Sequence, residues 1–147
     1  MRAFARFKTF VASAVLIVAS CGSLTEGEYQ WRRQPGLIDV GSSHMLPITL
    51  PDTIQGAGPR TVVVQTRGSS SCTRADGADV EYGDLVVTIR PMDLVATRGI
   101  CTDDLAPHPR NVTINLDTFG TWTVRVVGRS LDNNAVFETQ VVVRDLR

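Results

Sequence analysis

Two histidines are the side chains of this 147-residue chain best suited to acid–base or metal chemistry near neutral pH, His44 and His108. Neither belongs to an HxH or HExxH spacing, so the sequence offers too few ligands for a zinc or copper site. The serines at 69–71 lack the GxSxG turn that exposes a nucleophile, and a Ser-His-Asp triad could be drawn only by free choice of partners. We therefore predict no catalytic residue, no metal and no cofactor.

Four carboxylates lie close together in RADGADVEYGD, residues 74–84. They are Asp76, Asp79, Glu81 and Asp84. Oxygen ligands grouped in a turn can bind calcium. The spacing does not match the DxDxDG loop, however, and Asp-Gly pairs are common turn formers. Calcium binding is therefore an alternative hypothesis to an ordinary turn at this point.

The first twenty residues have the layout of a secretory signal. Three basic residues precede position 9, an apolar core covers 9–19, and small residues occupy 19 and 20. At about 1.5 Å per residue, the apolar core falls well short of the roughly 30 Å of hydrocarbon that a helix must cross. The length favours a cleaved signal over a membrane-spanning helix.

The leader ends in Val18-Ala19-Ser20-Cys21, which resembles the lipobox of bacterial lipoproteins. The resemblance implies that Cys21 becomes the lipidated first residue of the mature chain, on the periplasmic side or at the outer membrane. In that family an aspartate after the cysteine goes with retention at the inner membrane, and Gly22 and Ser23 here favour the outer membrane. Two alternatives stay open: a plain signal peptide, and an uncleaved N-terminal helix that anchors the domain itself.

With Cys21 assigned to the membrane anchor, Cys72 and Cys101 remain as a pair in an exported domain. An even remainder predicts a structural disulfide, because a redox-active pair usually has CxxC spacing beside a helix start. Asp103 and Asp104 follow this pair, and the APHPR segment at 106–110 predicts a proline-stiffened loop beside it.

The leader at 1–20 is expected to be followed by a tether at 21–36, a polar stretch without sustained periodicity, and a domain at 37–147. Four tether residues combine aromatic and cationic groups suited to a membrane interface. They are Tyr29, Trp31, Arg32 and Arg33. The alternative for Trp31 is packing on the edge of the domain.

From Leu37 onward, short runs rich in Val, Ile and Thr are bounded by Gly, Pro, Asp and Asn, and no window has helical periodicity. The predicted strands are 45–50, 60–67, 79–82, 84–90, 111–116, 121–129 and 135–144. About seven short strands in a domain of this size indicate an all-β protein, an antiparallel sandwich of two sheets.

The last two strands permit a prediction of register. A two-residue turn at Asp132-Asn133 would pair Trp122 with Val143, which places the apolar residues of both strands on one face. The preceding GTWTVRV segment, residues 120–126, resembles the penultimate strand of immunoglobulin-like sandwich modules. That resemblance implies an architecture and no activity, because such folds host many functions.

The balance of charge and motifs leaves three functional hypotheses. Fifteen basic and fifteen acidic residues give no electrostatic footprint for nucleic acid. The leading hypothesis is a non-catalytic, membrane-tethered accessory subunit or protein-binding module of an envelope or integral-membrane complex. The second is a lipoprotein that binds a sugar, a peptide or calcium. The third is a small hydrolase, for which the sequence offers no recognisable constellation.

Overall fold

A computed structural model describes residues 29–40, 46–130 and 134–145. These residues form eight strands and no helix. The strands are β1 (Trp31–Pro35), β2 (Thr53–Gln55), β3 (Gly58–Gly68), β4 (Thr73–Gly83), β5 (Val86–Ala96), β6 (Ala106–Leu116), β7 (Gly120–Arg129) and β8 (Asn134–Arg144). They lie in two sheets with a sandwich-like arrangement, which confirms the predicted fold class.

The larger sheet has six strands and is organised around β5. Strand β4 pairs with almost all of β5, whereas β1 pairs with its second half and β7 with its first half. Strands β8 and β2 continue the sheet beyond β7. The β5–β7 and β2–β8 pairs are parallel, unlike the fully antiparallel arrangement that was expected. For β5 and β7 the reason is that the chain passes through β6 in the other sheet before it returns.

The smaller sheet is the antiparallel pair of β3 and β6. The outer edge of β3 is covered by the segment that follows β1, since Arg67 N–H donates to the Leu37 carbonyl and Gln65 N–H to the Pro47 carbonyl. The Leu37 backbone also bridges to Arg129 of β7. The chain after β1 therefore links the two sheets.

The outer edge of β6 has few free hydrogen-bond donors. Asn115 N–H points away from β3 and donates to the Tyr82 hydroxyl at 2.9 Å. Alternation along the strand directs the nitrogens of Pro107 and Pro109 to the same edge. Prolines carry no N–H and are tolerated at strand edges for that reason. The predicted APHPR loop is thus the start of a strand.

The core lies between the sheets and is built from residues that alternate along the strands, as period-two patterning requires. Its fully buried members are Ile48, Val64, Val87, Ile89, Ile114, Leu116, Val124, Val126, Val141 and Val143. Trp122 is also buried, and its ring N–H donates to the Thr118 carbonyl at 3.0 Å. The inward residues predicted for β7 therefore occupy the core.

The predicted β7–β8 register is wrong by two residues, since Trp122 pairs with Val141 and Arg129 with Asn134. A shift of two residues keeps every side chain on its face, so apolar patterning cannot distinguish the two registers. The turn residues 132 and 133 themselves lie outside the described residues.

Two predicted boundaries also differ from the structure. Residues 31–35, assigned to the tether, are strand β1, and within the described part of 45–50 only Ile48 forms a bridge, to Val64. The sequence of β1, WRRQP, has no apolar alternation, and none of its residues is fully buried, since the two arginines are exposed and the other three residues are half-buried.

Candidate functional site

The richest cluster of polar, cationic and aromatic side chains lies at one end of the sandwich, which we call the tether end. It is formed by residues 29–31, 69–72 and 97–105. Strand pairing brings these segments together, because Trp31 is opposite Ala96 and Gly68 is opposite Ala106. The opposite end, which we call the distal end, is formed by residues 49–62, 84–85 and 117–119.

The predicted disulfide joins Cys72 to Cys101 and is confirmed. Its Cα atoms are 5.4 Å apart, a usual separation for a bridged pair. Cys72 is buried just before β4, whereas Cys101 lies in the exposed loop at 97–105. The bond therefore fastens this loop to the body of the larger sheet.

A network of hydroxyl groups surrounds the disulfide. The hydroxyls of residues 69–71 all lie within 3.3 Å of the Thr102 hydroxyl. Thr102 donates to Asp104 Oδ1 at 2.5 Å, and Ser70 N–H donates to the same oxygen at 2.9 Å. These bonds stabilise the carboxylate and lower the pKa of Asp104, with the Thr102 hydroxyl as the largest cause. The network holds two loops together.

The arrangement around these serines is not that of an activated nucleophile, which needs an adjacent general base. His108 Nε2 lies 3.4 Å from the Gly68 carbonyl oxygen. The serine hydroxyls form hydrogen bonds with the Thr102 hydroxyl, and these bonds hold the two loops together. His44 lies outside the described residues, as does Cys21.

The aromatic residues predicted for the membrane interface pack against the domain. The rings of Tyr29 and Trp31 have centroids 5.8 Å apart, and the guanidinium of Arg74 lies 4.2 Å above the Trp31 ring. Such a cation–π contact contributes about 0.5–1 kcal/mol at an exposed site. Trp31 thus packs at the end of the sheet, and the membrane-interface role of this group stays a prediction.

The two arginines of the same group differ in their surroundings. Arg32 is exposed, whereas Arg33 donates to Asp76 at 2.7 Å and to Asp79 at 3.1 Å. Hydrogen bonds to Asp79 first and Asp76 second raise the pKa of Arg33. Arg33 therefore fastens β1 across the sheet to β4.

The carboxylates considered for calcium are spread along β4 and its turn. Asp76 and Asp79 are bound to Arg33, Glu81 pairs with Arg90 at 3.0 Å, and Asp84 lies beyond the end of the strand. Among the described residues, no group of three or more His, Cys, Asp or Glu side chains could hold a metal ion. Strand β4 therefore spaces along its length carboxylates that a turn would gather, and it places two of them on Arg33.

A buried ion pair connects the two sheets close to the tether end. Arg110 of β6 donates to Asp93 of β5 at 2.6 Å, and both side chains are at least 95% buried. Thr66 of β3 donates to the same carboxylate at 3.0 Å, and Arg110 also donates to the carbonyls of Met92 and Gly77. A charged pair at this depth is strongly coupled to the fold, because loss of either partner leaves an unpaired charge in the core.

Sequence reasoning missed this pair, although a signal was present. Arg110 occupies the inward position of the alternation that continues through Val112, Ile114 and Leu116. An arginine in the inward phase of a strand predicts a buried partner. The partner itself could not be identified, since Asp93 lies on another strand and in another sheet.

The distal end has an open groove of about 350 Å³ lined by residues 49–51, 53–54 and 60–62. Aliphatic and threonine side chains form most of its wall. Arg60 fixes the adjacent loop by donating to the carbonyls of Gln55, Gly56 and Pro59 at 2.8–3.0 Å. Phe119, which is more than half exposed, lies at the same end.

No protein-family model, curated protein or solved structure matches this chain. In the described part of the chain no helix has the length and apolarity needed to cross a bilayer.

Proposed function

We propose that this protein is a non-catalytic β-sandwich tethered to a membrane on its extracytoplasmic side, where it serves as an extrinsic subunit or protein-binding module of an envelope complex. The observation that carries the proposal is the short distance along the chain between the lipobox-like motif and the fold. Trp31, the first residue of β1, follows Cys21 by ten positions. A lipid on Cys21 would hold the tether end beside the bilayer and leave the distal end accessible.

The distal groove supports a protein partner more than an enclosed small ligand. Ligand pockets usually surround most of their ligand with apolar and aromatic side chains. Here the groove is open, and its lining residues include no aromatic side chain. Exposed Phe119 at the same end adds an aromatic contact of the kind enriched in protein interfaces. We assign the partner contact to this end.

The tether has a direct test. Mass spectrometry of the full chain extracted from membranes should show a lipid-modified N-terminal cysteine at position 21. An unmodified Met1 in the mature protein would refute the lipid anchor. Purification in mild detergent should recover the protein together with an integral-membrane partner, and a protein that always purifies alone would refute the accessory role.

The location of the partner contact is tested by a matched pair of substitutions. Thr61→Arg places a charge in the groove, and Gln140→Arg places the same charge on an exposed strand position elsewhere. We expect Thr61→Arg to weaken partner binding about tenfold, because the added charge must be desolvated in the contact. Equal retention of the partner by both variants would exclude the groove.

A further inference from the structure

The most exposed large apolar side chain of the tether end is Ile100, at 92%. It lies between Gly99 and Cys101, in a loop whose other residues from 97 to 104 are mainly polar. An exposed isoleucine alone is common on protein surfaces and proves nothing. What distinguishes Ile100 is the rigidity of the loop and its position relative to the incoming chain.

Three contacts fix the loop at 97–105. Cys101 is bonded to buried Cys72, and both the amide and the hydroxyl of Thr97 donate to the Gln30 carbonyl, at 2.7 and 3.0 Å. Gly99 has φ +120° and lies under the Tyr29 ring, where a Cβ would approach the ring within 2.3 Å. An apolar side chain held on such a loop loses little conformational entropy when it contacts a partner.

The chain that would carry the lipid enters the fold against this loop. Tyr29 follows Cys21 by eight positions, so a fully extended chain could separate them by at most about 29 Å. Since Tyr29 and Gln30 themselves contact Gly99 and Thr97, the loop must stay close to the bilayer that holds the lipid.

The charges around Ile100 suit an anionic surface. Arg98 is exposed in the loop, Arg32 and Arg74 are exposed just inside this end of the sheet, and the guanidinium of Arg74 covers Trp31. Asp103 and Asp104 are also exposed here, and the hydrogen bonds from Thr102 and Ser70 that lower the pKa of Asp104 keep its carboxylate charged. The three arginines therefore outnumber the two carboxylates by one. Arginine beside tryptophan and tyrosine is typical of side chains at a lipid–water boundary.

We infer that the loop at 97–105 docks on the bilayer surface, with Ile100 inserted at the boundary between headgroups and acyl chains and the arginines on anionic headgroups. This inference rests on the proposed tether. The lipid attaches the domain to the bilayer, and the docking loop fixes the orientation of the distal end.

The test compares two tryptophan reporters in the full chain. Ile100→Trp and Phe119→Trp replace exposed apolar residues at opposite ends, so both variants should retain the core. Each is reconstituted into vesicles of phosphatidylcholine and phosphatidylglycerol that contain acyl-brominated phosphatidylcholine, a quencher of tryptophan. The signal is the quenching in excess of that of the unsubstituted protein, which carries Trp31 and Trp122.

Insertion to a depth of about 5–10 Å should make quenching severalfold stronger at position 100 than at position 119. Flotation of the same samples separates the two proposals. Equal quenching in protein that floats with the vesicles would refute the docking loop and leave the tether standing. Protein that does not float would refute both. A third outcome combines two variants: Ile100→Trp shows no excess quenching, and Ile100→Asp no longer co-purifies with the protein partner. That outcome would show that the loop binds the partner and would also refute bilayer docking.

Discussion

The two ends of this sandwich are fastened by different means. The tether end has a disulfide, a hydroxyl network around Thr102 and, a short distance inside, the buried Arg110–Asp93 pair. The distal end has neither a disulfide nor a buried ion pair among the described residues. It is held by buried apolar side chains such as Leu116 and Trp122 and by hydrogen bonds such as the three that Arg60 donates to its own loop.

The largest expected effect comes from breaking the buried ion pair. Asp93→Ala should lower the free energy of unfolding by about 3–5 kcal/mol, because Arg110 would remain charged and unpaired in the core. Urea denaturation measures the change. Glu138→Ala, which removes the exposed partner of Arg125, is the matched control and should cost about 0–1 kcal/mol. A loss for Asp93→Ala no larger than that of the control would contradict the assigned role of the pair.

Removal of the disulfide should have the next largest effect. Replacement of both Cys72 and Cys101 by alanine opens a loop of 29 positions and should cost about 3–4 kcal/mol in the chain-entropy model. Amide hydrogen exchange then sharpens the comparison between the ends. Because the chain-entropy cost acts on the unfolded state, amides that exchange by global unfolding should exchange faster at both ends. We expect a larger increase at residues 72–75 and 97–105 than at 55–58, because the bond also holds these segments locally. A uniform increase across both ends would show that the bond does not act locally.

A smaller effect is expected at Gly36, where the chain passes between the sheets. A Cβ there would lie 2.3 Å from Thr66 Cγ2 and 2.7 Å from Asp93 Oδ2. Gly36→Ala should therefore cost about 1–3 kcal/mol through overpacking. Gly83→Ala is the control, since its nearest neighbour would be 3.7 Å away, and we expect less than about 0.5 kcal/mol. Thermal unfolding of both variants measures the difference. Equal melting temperatures would show that the residues around Gly36 shift enough to accommodate the added methyl group.

The smallest expected effect is the pH dependence of the hydroxyl network. Because the pKa of Asp104 is lowered in the folded state, its stabilising contribution is present above the ordinary value of 3.8 and is lost as the pH falls through the folded value. Asp104→Asn should therefore be less stable than the natural protein at pH 6, with a smaller difference near pH 3. Asp103→Asn controls for charge removal beside Cys101. A pH-independent difference would contradict this account.

The fold class, six of the eight strands and the disulfide could be predicted because each depends on local pattern. Alternation in Trp122, Val124 and Val126 identifies a half-buried strand, and leftover cysteines identify a bridge. Strand β1 was missed because WRRQP carries no apolar alternation, and β2 has only three residues. The parallel pairing and the strand register depend on which residues of distant strands lie opposite each other. The local alternation of apolar residues carries no information about those partners.

The candidate site was predicted only in part. Tyr29, Trp31 and Arg33 were identified by residue type, but their partners Gly99, Arg74, Asp76 and Asp79 come from other strands and loops. Ile100 was overlooked because one isoleucine beside a cysteine forms no pattern. Its significance comes from exposure, which only the three-dimensional arrangement determines.

The outer edge of β6 affects whether neighbouring molecules on one membrane surface would pair through their strands. Molecules held on a bilayer meet far more often than they do in free solution, and an open strand edge would then pair with the edge of a neighbour. Pro107 and Pro109 offer no N–H to such a neighbour, and the amide of Asn115 is already bound to Tyr82. The edge of β6 should therefore be a poor template for the strand of a neighbouring copy.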